Sequence, residues 1–275
     1  MTIVITGASG FIGKSLNNYL SNEGFDCIGV SRTPSPEVQI VNNYSESPTG
    51  DVLIHCAECN DRNWVNNHSN DTYASDVAKT LNSLIKKNFR QVIYFSSSVV
   101  YESSNVPNST KDKVFSYDKY SEVKISSENI VAGTNGCILR LANIYGPGMS
   151  KKNVMSDILS QLANKETINL ISGSPIRDFL HIVDLMSAVK EIIVKKKAGK
   201  YNIGSGEGIS IKNLAELIIK LNKSHQRLNF SKDKPIDSKI ILDISNTLEE
   251  LDWKPQISLK DGLTDLINYK LCQVK

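Results

Sequence analysis

The sequence lacks the features that mark membrane proteins and nucleic-acid-binding proteins. It has no apolar run near the roughly 20 residues of a membrane-spanning helix. Its 32 basic and 29 acidic residues leave a net charge of only +3, too even a balance to indicate a nucleic-acid partner. Internal repeats, low-complexity tracts and long linkers are missing as well. We therefore predict a protein without membrane or nucleic-acid partners and without a resident metal.

Cysteine is scarce, with five residues, an odd number without the spacing of a disulfide framework. Met1 leads directly into an apolar strand, so the pattern predicts no secretory signal peptide. Both observations favour a reducing, cytoplasmic location. Cys56 and Cys59 form a Cys-x-x-Cys motif, for which a redox role is the alternative. The motif follows an apolar strand, however, and nothing nearby supplies a thioredoxin-like setting.

The composition that remains is globular, with 40% hydrophobic and 22% charged residues over 275 positions, enough for one or two domains. The chain is organised around its start. Residues 3–5 are an apolar run typical of a buried parallel strand, glycines follow at Gly7, Gly10 and Gly13, and a helical pattern begins at once. Free N–H groups at such a helix start face an anion. The Gly-x-x-Gly-x-x-Gly turn therefore predicts dinucleotide binding.

The end of the second strand, predicted at 25–30, bears on the choice of cofactor. NAD-binding proteins usually carry a carboxylate there, about 20 residues after the glycines, which binds the ribose 2′-hydroxyl. This chain has Ser31 and Arg32 instead. A carboxylate would repel a 2′-phosphate, whereas Arg32 would pair with it. The pair favours NADP (NADPH) over NAD. The alternative is a solvated loop arginine before Pro34 and Pro36.

Further apolar runs predict four more strands, at 38–41, 51–57, 91–95 and 137–141, and an amphipathic helix at 73–87. Strands that alternate with helices indicate an α/β fold, a Rossmann-type doubly wound parallel sheet. Ligands of such sheets bind beyond the carboxyl ends of the strands. The residues expected there are those that end the fourth and fifth strands, at 55–57 and 96–98.

The next helix carries a tyrosine and a lysine four residues apart, Tyr120 and Lys124. Residues at this spacing share one helix face. A lysine ammonium beside a phenol stabilises the phenolate and brings proton transfer closer to neutral pH. A surface pair is the alternative, but after a glycine-rich turn and a serine-tipped strand we expect an acid/base pair.

Together these landmarks resemble the extended short-chain dehydrogenase/reductase family, the NAD-dependent epimerase/dehydratase group that acts on nucleotide sugars. The resemblance runs almost from end to end. It rests on eight short motifs in their order along the chain, at 6–13, 55–57, 96–101, 120–124, 139–147, 177–184, 201–204 and 253–255.

The resemblance implies roles for individual residues. Tyr120 would be the catalytic acid/base, Lys124 would bind the nicotinamide ribose, and Ser97 would be the catalytic serine. With Tyr120 and Lys124, the residues at the cofactor would be Gly7, Ser9, Gly10, Phe11, Ile12, Ser31, Arg32, Cys56 and Ala57. Those at the substrate would be Ser97, Ser98, Asn143 and Arg177. For Arg177 the alternative is a structural ion pair with Asp178 or Asp184.

Departures from the family pattern limit the reactions that this protein is expected to catalyse. Dehydratases of the family carry an Asp-Glu pair just after the catalytic Ser/Thr, where this chain has Ser98 and Val99. The 3,5-epimerase/reductases use a cysteine and a histidine, where this chain has Val99 and, approximately, Asn153. The residues for hydride transfer are kept, and those added for C–H proton chemistry are missing. Further departures are Glu58 for a second alanine, Asp76 for a helix asparagine and Glu102 for a glycine.

The resemblance therefore predicts NADPH-dependent reduction of the 4-keto group of a nucleotide-diphospho-4-keto-6-deoxy sugar, for deoxysugar and polysaccharide precursors. A nucleotide-sugar 4-epimerase with tightly bound NAD is the alternative. A non-catalytic dinucleotide sensor is a third interpretation. The presence of Ser97, Tyr120 and Lys124 together argues against it.

The predicted division of the chain is a cofactor-binding domain at 1–146, joined by 181–204, and a smaller α/β substrate lobe at 147–180 and 205–275. By analogy with the family, a homodimer would pair the helices at 73–87 and 118–131.

Overall fold

The computed structural model describes residues 1–68, 70, 72–162, 166–231 and 238–273. The strands within this part of the chain are β1 (Thr2–Thr6), β2 (Asp26–Ser31), β3 (Gln39–Ile40), β4 (Val52–His55), β5 (Gln91–Ser97), β6 (Gly136–Leu141), β7 (Asn143–Tyr145), β8 (Thr167–Leu170), β9 (Ile176–His181), β10 (Gly199–Ile203), β11 (Gly208–Ser210), β12 (Arg227–Phe230) and β13 (Lys239–Ile240). The helices are α1 (Phe11–Asn22), α2 (Arg62–His68), α3 (Tyr73–Ile85), α4 (Lys119–Ala132), α5 (Val154–Gln161), α6 (Ile182–Val194), α7 (Ile211–Leu221), α8 (Ser245–Leu251) and α9 (Leu259–Gln273).

The largest sheet has seven strands in the order β10-β6-β5-β4-β1-β2-β3, and every neighbouring pair is parallel. The strand order reverses between β1 and β4, which is where open parallel sheets bind their ligands. The carboxyl ends of β1, β4 and β5 meet at this point. The predicted α/β fold with a doubly wound parallel sheet is confirmed.

Both faces of this sheet are covered, which explains the unbroken apolar runs in its strands. In β1, Ile3 and Ile5 pack on one side with residues of α1 and α6. Val4 points the other way and packs with residues of α3 and α4. All three side chains are fully buried, because successive residues of a strand face opposite sides.

A second apolar core lies outside the large sheet. It joins buried side chains of α5, α7 and α9 with those of the short strands β8 and β9. Strand β9 is the centre of a small mixed sheet, since it pairs with β7, β11 and β13. The division into domains stays a prediction. The strand pairing that bears on it is that of β10, which returns from this region, pairs with β6 and forms the edge of the large sheet.

The structure differs from the sequence-based elements in a few places. Strand ends differ by at most two residues from the predicted positions, and the predicted helix 73–87 ends at Ile85. Helix α2 (Arg62–His68) was not predicted. It has seven residues and no apolar stripe, and tertiary hydrogen bonds from Asn66 hold it to α4. No helix in the described ranges is both long and apolar enough to cross a membrane.

Candidate active site

The turn between β1 and α1 is built so that only glycine fits at two of its three glycine positions. Gly7 has a φ of +73°, and a Cβ there would lie 2.7 Å from the Cys56 carbonyl oxygen. A Cβ on Gly13 would lie 2.3 Å from the Gly7 carbonyl oxygen. These contacts bring α1 close to the strand ends, as the predicted cradle requires.

The start of α1 is open to a ligand. Gly10 is the N-cap residue, no side chain caps the helix, and its first turn has no acidic residue. Ser9 and Gly10 are exposed, and Phe11 and Ile12 form the first turn behind them. Uncapped N–H groups at a helix start attract anions through their partial positive charge. This geometry fits the pyrophosphate of a dinucleotide.

The end of β2 lies beside that turn. The Ser31 hydroxyl is 2.7 Å from the Ser9 hydroxyl and accepts a hydrogen bond from the Thr33 N–H at 3.0 Å. The Arg32 guanidinium carbon lies 5.1 Å from the centre of the Tyr44 ring. None of the carboxylates in the described ranges lies within ion-pair distance of Arg32. The exposed guanidinium therefore stacks on Tyr44, and within the described residues no carboxylate competes with an anion for its donors.

The carboxyl end of β5 carries the predicted serines. The Ser97 hydroxyl accepts a hydrogen bond from the Val99 N–H at 3.4 Å and so caps a short 3₁₀ turn, Ser98–Val100. Ser98 is buried within that turn. The turn contacts α4, so the structure brings the serine cluster to the helix that carries Tyr120 and Lys124.

Helix α4 begins at a well-formed cap. Asp118 accepts from the Ser121 N–H at 2.8 Å, and the Ser121 hydroxyl closes a capping box with the Asp118 N–H at 3.0 Å. The N–H of Tyr120 donates to Asn66 of α2 at 3.0 Å. These bonds fix the first turn, which places Tyr120 and Lys124 on one buried face. The Lys124 ammonium lies 5.8 Å from the centre of the Tyr120 ring.

Lys124 also makes a contact that the sequence analysis did not foresee. Its ammonium donates to Glu58 Oε2 at 2.8 Å and to the carbonyl oxygen of Phe95 at 2.9 Å. Burial by itself would lower the pKa of Lys124, but the Glu58 carboxylate raises that pKa well above its usual range. The departure at Glu58 from the family's alanine was the signal that could have revealed this pair.

Asn143 and Arg177 lie on the other side of the site. Both line a cleft of about 570 Å³ that Lys151 and Lys152 also border. The Asn143 amide donates to the Asp178 carbonyl oxygen at 2.9 Å. The structure therefore brings two of the four predicted substrate residues, Asn143 and Arg177, together in a cationic cleft, while Ser97 and Ser98 are not among the residues that line it.

The ion-pair alternative for Arg177 is wrong. Its guanidinium donates to the Ile176 and Ser238 carbonyl oxygens and to the Ser238 hydroxyl at 2.8–2.9 Å. Asp178 is occupied by the N–H groups of Ser205, Gly206 and Leu242. Asp184 accepts from the N–H groups of 256 and 257.

A sequence model of the NAD dependent epimerase/dehydratase family matches residues 3–204, well over half of the chain. The chain belongs to this family. A dTDP-4-dehydro-6-deoxy-D-allose reductase of a Streptomyces species is 24% identical over 96% of this chain and 94% of its own length. The dTDP-4-dehydro-6-deoxyglucose reductase of Escherichia coli is 32% identical over 70% of this chain and 65% of its own. A putative UDP-glucose 4-epimerase of Methanocaldococcus jannaschii is 27% identical over 97% of both.

Solved structures of other proteins share the fold. MoeE5 in complex with UDP-glucose and NAD superposes with a TM-score of 0.86 at 19% identity, with 100% of both chains covered. The UDP-glucose 4-epimerase of Thermotoga maritima with UDP-glucose gives 0.84 at 20% identity over 100% of both chains. This family member is therefore an enzyme by its family, and the relatives named above carry the names of nucleotide-sugar reductases and an epimerase.

The Cys-x-x-Cys motif of this family member lies just after the end of β4. The Cys56 N–H donates to the Thr6 carbonyl oxygen at 3.1 Å, and Cys56 and Cys59 are both free thiols. Burial raises the pKa of the Cys56 thiol, which opposes the thiolate that redox chemistry needs. The position of Cys56 and Ala57 beside the Gly7 turn is compatible with their predicted place at the cofactor.

Proposed function

We propose that this family member uses NADPH to reduce the 4-keto group of a nucleotide-diphospho-4-keto-6-deoxy sugar. The observation that carries the proposal is the placement of Tyr120 and Lys124 beside the end of β5. The serine cluster there runs on into Val99, not into an acidic pair, so the site has a proton donor without an added acid and base for eliminating water. The similarity to two dTDP-4-keto-sugar reductases supports the same reaction.

The residues of the chain would divide the work as follows. Tyr120 donates its proton to the oxygen of the ketone, and the Ser97 hydroxyl donates a hydrogen bond to that oxygen as negative charge develops on it. Lys124 holds the nicotinamide ribose and stabilises the phenolate that Tyr120 leaves. Bound NADPH supplies the hydride. One hydride and one proton convert the ketone to an alcohol.

The turn after β1 and the end of β2 would hold the dinucleotide. The open start of α1 at Gly10 suits the pyrophosphate, and Ser31 and Arg32 suit a 2′-phosphate. We expect Arg32→Ala to weaken NADPH binding about 10- to 100-fold, the loss of one or more charge-assisted hydrogen bonds, and to leave NADH binding nearly unchanged. Calorimetric titration of both cofactors measures the difference. Equal weakening of both would contradict the preference for NADP.

Asn143 and Arg177 would bind the diphosphate of the sugar nucleotide in the cationic cleft. The hydrogen bonds of Arg177 to Ile176 and Ser238 hold its guanidinium in the cleft as a fixed positive charge. Lys151 adds charge at the rim, while Lys152 is paired with Asp61. We further propose a cytoplasmic homodimer formed through α3 and α4, for which light scattering on the purified protein is the direct test.

The deciding experiment follows NADPH oxidation by the purified protein. The substrates are 4-keto-6-deoxy sugars on dTDP, GDP and CDP, each made in place by a dehydratase. We expect rapid oxidation with one of them, which would also name the nucleotide. No oxidation with any of the three, together with NAD that remains on the protein through purification, would instead establish the 4-epimerase.

A further inference from the structure

The carboxylate of Glu58 lies at the centre of a buried cluster behind Tyr120. Its Oε2 accepts hydrogen bonds from the Lys124 ammonium and the Tyr94 hydroxyl, both at 2.8 Å, and its Oε1 accepts one from the Ser127 hydroxyl at 2.8 Å. The Glu58 side chain is 5% exposed. Three donors from α4 and β5 therefore hold this carboxylate in one position.

The same cluster fixes the direction of Lys124. An ammonium has three N–H donors, and within the described residues two of them are taken, by Glu58 and by the Phe95 carbonyl oxygen. The side chain remains 9% exposed. One donor is left to reach outward to a ligand.

The other titratable groups that face this pair are neutral near pH 7. Burial lowers the pKa of His55 to about 4. Burial raises the pKa of Tyr73, and burial with the nearby Glu58 raises that of Tyr94. The thiol of Cys56, whose pKa is also raised by burial, carries no charge either. The charges at the back of the site are thus one ammonium and one carboxylate.

This balance matters for a reduction. While it stays protonated, a buried ammonium 5.8 Å from the Tyr120 ring with no carboxylate beside it would favour the phenolate. A phenolate cannot donate the proton that the ketone oxygen needs. A carboxylate bonded to that cation offsets its field at the phenol.

We propose that Glu58 is a positioning residue that aims the Lys124 ammonium and offsets its charge, and that it thereby sets the upper pH limit for proton donation by Tyr120. The inference deepens the proposed reductase function and rests on it for the role of Tyr120. It assigns a function to the one residue in the strand-end motif that departs from the family pattern.

Glu58→Gln is the test, because glutamine keeps the shape and one acceptor oxygen but removes the charge. We expect the alkaline fall of kcat/KM for ketone reduction to move to lower pH by about one unit or more. Ser127→Ala is the matched control, since it removes one hydrogen bond from the same carboxylate and leaves the charge. For Ser127→Ala, the alkaline fall of kcat/KM should occur at the same pH as in the wild type.

A second readout needs no substrate. Tyrosinate absorbance is followed against pH in the Glu58→Gln protein with and without Tyr120→Phe, so that the difference reports Tyr120 alone. Ionisation of Tyr120 should occur at lower pH in Glu58→Gln than in the wild type. An unchanged ionisation, with turnover lowered by the same factor at every pH, would reduce Glu58 to a structural role and overturn the proposal. If Glu58→Gln does not fold, Glu58→Asp keeps the charge at a shorter reach, and its alkaline limb should match the wild type.

The two proposals can fail separately. A wild-type protein that reduces none of the 4-keto sugars would contradict the reductase function, yet the tyrosinate measurement would still show whether Glu58 controls Tyr120. If the wild-type protein reduces one of these sugars and the alkaline fall of kcat/KM is unshifted in Glu58→Gln, the proposed function would stand. The proposed role of Glu58 would then be contradicted.

Discussion

Helix α4 carries two buried ion pairs one turn apart, and they differ in how completely the cation is enclosed. The open pair is Lys124–Glu58, and the closed pair is Glu128–Arg140. Each carboxylate accepts three hydrogen bonds. The cations are not alike. Arg140 is 1% exposed, and its guanidinium makes four hydrogen bonds, whereas Lys124 is 9% exposed and makes two within the described residues.

The closed pair ties the scaffold together. Glu128 also accepts a hydrogen bond from the Ser96 hydroxyl of β5 at 2.5 Å. Arg140 donates to the Tyr101 hydroxyl at 3.0 Å, which donates in turn to Asn202 of β10 at 2.7 Å. Three strands and one helix meet in this network. The comparison teaches that a buried pair enclosed by the scaffold holds the fold, while a pair whose cation stays partly exposed can serve a ligand.

The largest effect is expected where the open pair meets the reaction. Tyr120→Phe removes the proton donor but leaves the ring packed on Lys124, so turnover should fall by about 10²–10⁴-fold while dinucleotide binding persists. Steady-state kinetics and calorimetric titration of the cofactor measure the two. Near-normal turnover with intact binding would remove Tyr120 from its proposed role.

Substitutions in the closed pair should lower the stability of the protein rather than its turnover. Arg140→Met leaves Glu128 buried without its cation, and we expect the free energy of unfolding to fall by about 3–5 kcal/mol. Replacing both partners, Arg140→Met with Glu128→Leu, removes the stranded charge and should recover most of that loss. Urea denaturation of the two variants checks this. A double variant no more stable than Arg140→Met would mean that the hydroxyls of Ser96 and Tyr101 govern the cost.

The pH dependence of the unfolding free energy tests the surroundings of the open pair, because His55 lies next to that pair. Its pKa of about 4, lowered by burial, is below the ordinary value. Its contribution to stability is therefore complete above about pH 6.5 and is lost as pH falls toward 4, by at most about 3 kcal/mol. His55→Asn offers an amide to the Thr6 hydroxyl, now 2.8 Å from Nδ1, without titrating. Its unfolding free energy should vary less between pH 6.5 and 4 than that of the wild type.

The smallest effects come from two matched serines. Ser96→Ala and Ser127→Ala each remove one hydroxyl donor from a buried carboxylate, Glu128 and Glu58 respectively. Each should cost about 1.5–3 kcal/mol of unfolding free energy, the usual value for a hydrogen bond to a charged group. Thermal unfolding side by side measures both. A clearly larger loss for Ser127→Ala would show that the open pair supports the fold as much as the closed pair does.

The sequence predicted one kind of feature better than another. The strands of the large sheet follow from local apolar runs such as residues 3–5, which are buried on both faces and confirm the fold class. Helix α2 escaped prediction because its seven residues owe their conformation to Asn66 and its bonds to α4. Local pattern carries no information on such distant partners.

The same limit applies to the candidate site. Tyr120 and Lys124 are visible because a helix places residues four apart on one face. The two ion pairs are not, since Glu58 lies 66 positions from Lys124. The closed pair spans only 12 positions, but it joins a helix to a strand, and that register is set by packing. The roles of the predicted site residues stay predictions until the variants above are measured.

The return of β10 to the edge of the large sheet has a consequence for how the chain is made. Strand β6 ends at Leu141, but its outer neighbour begins only at Gly199. A nascent chain that has emerged as far as β6 therefore displays an unpaired strand edge, the kind of surface on which other chains assemble. A fragment that ends at residue 146 would keep this edge of β6 unpaired. Such a fragment should aggregate, whereas in the full chain β10 pairs with β6 and becomes the outer strand of the sheet, with α8 packed against it.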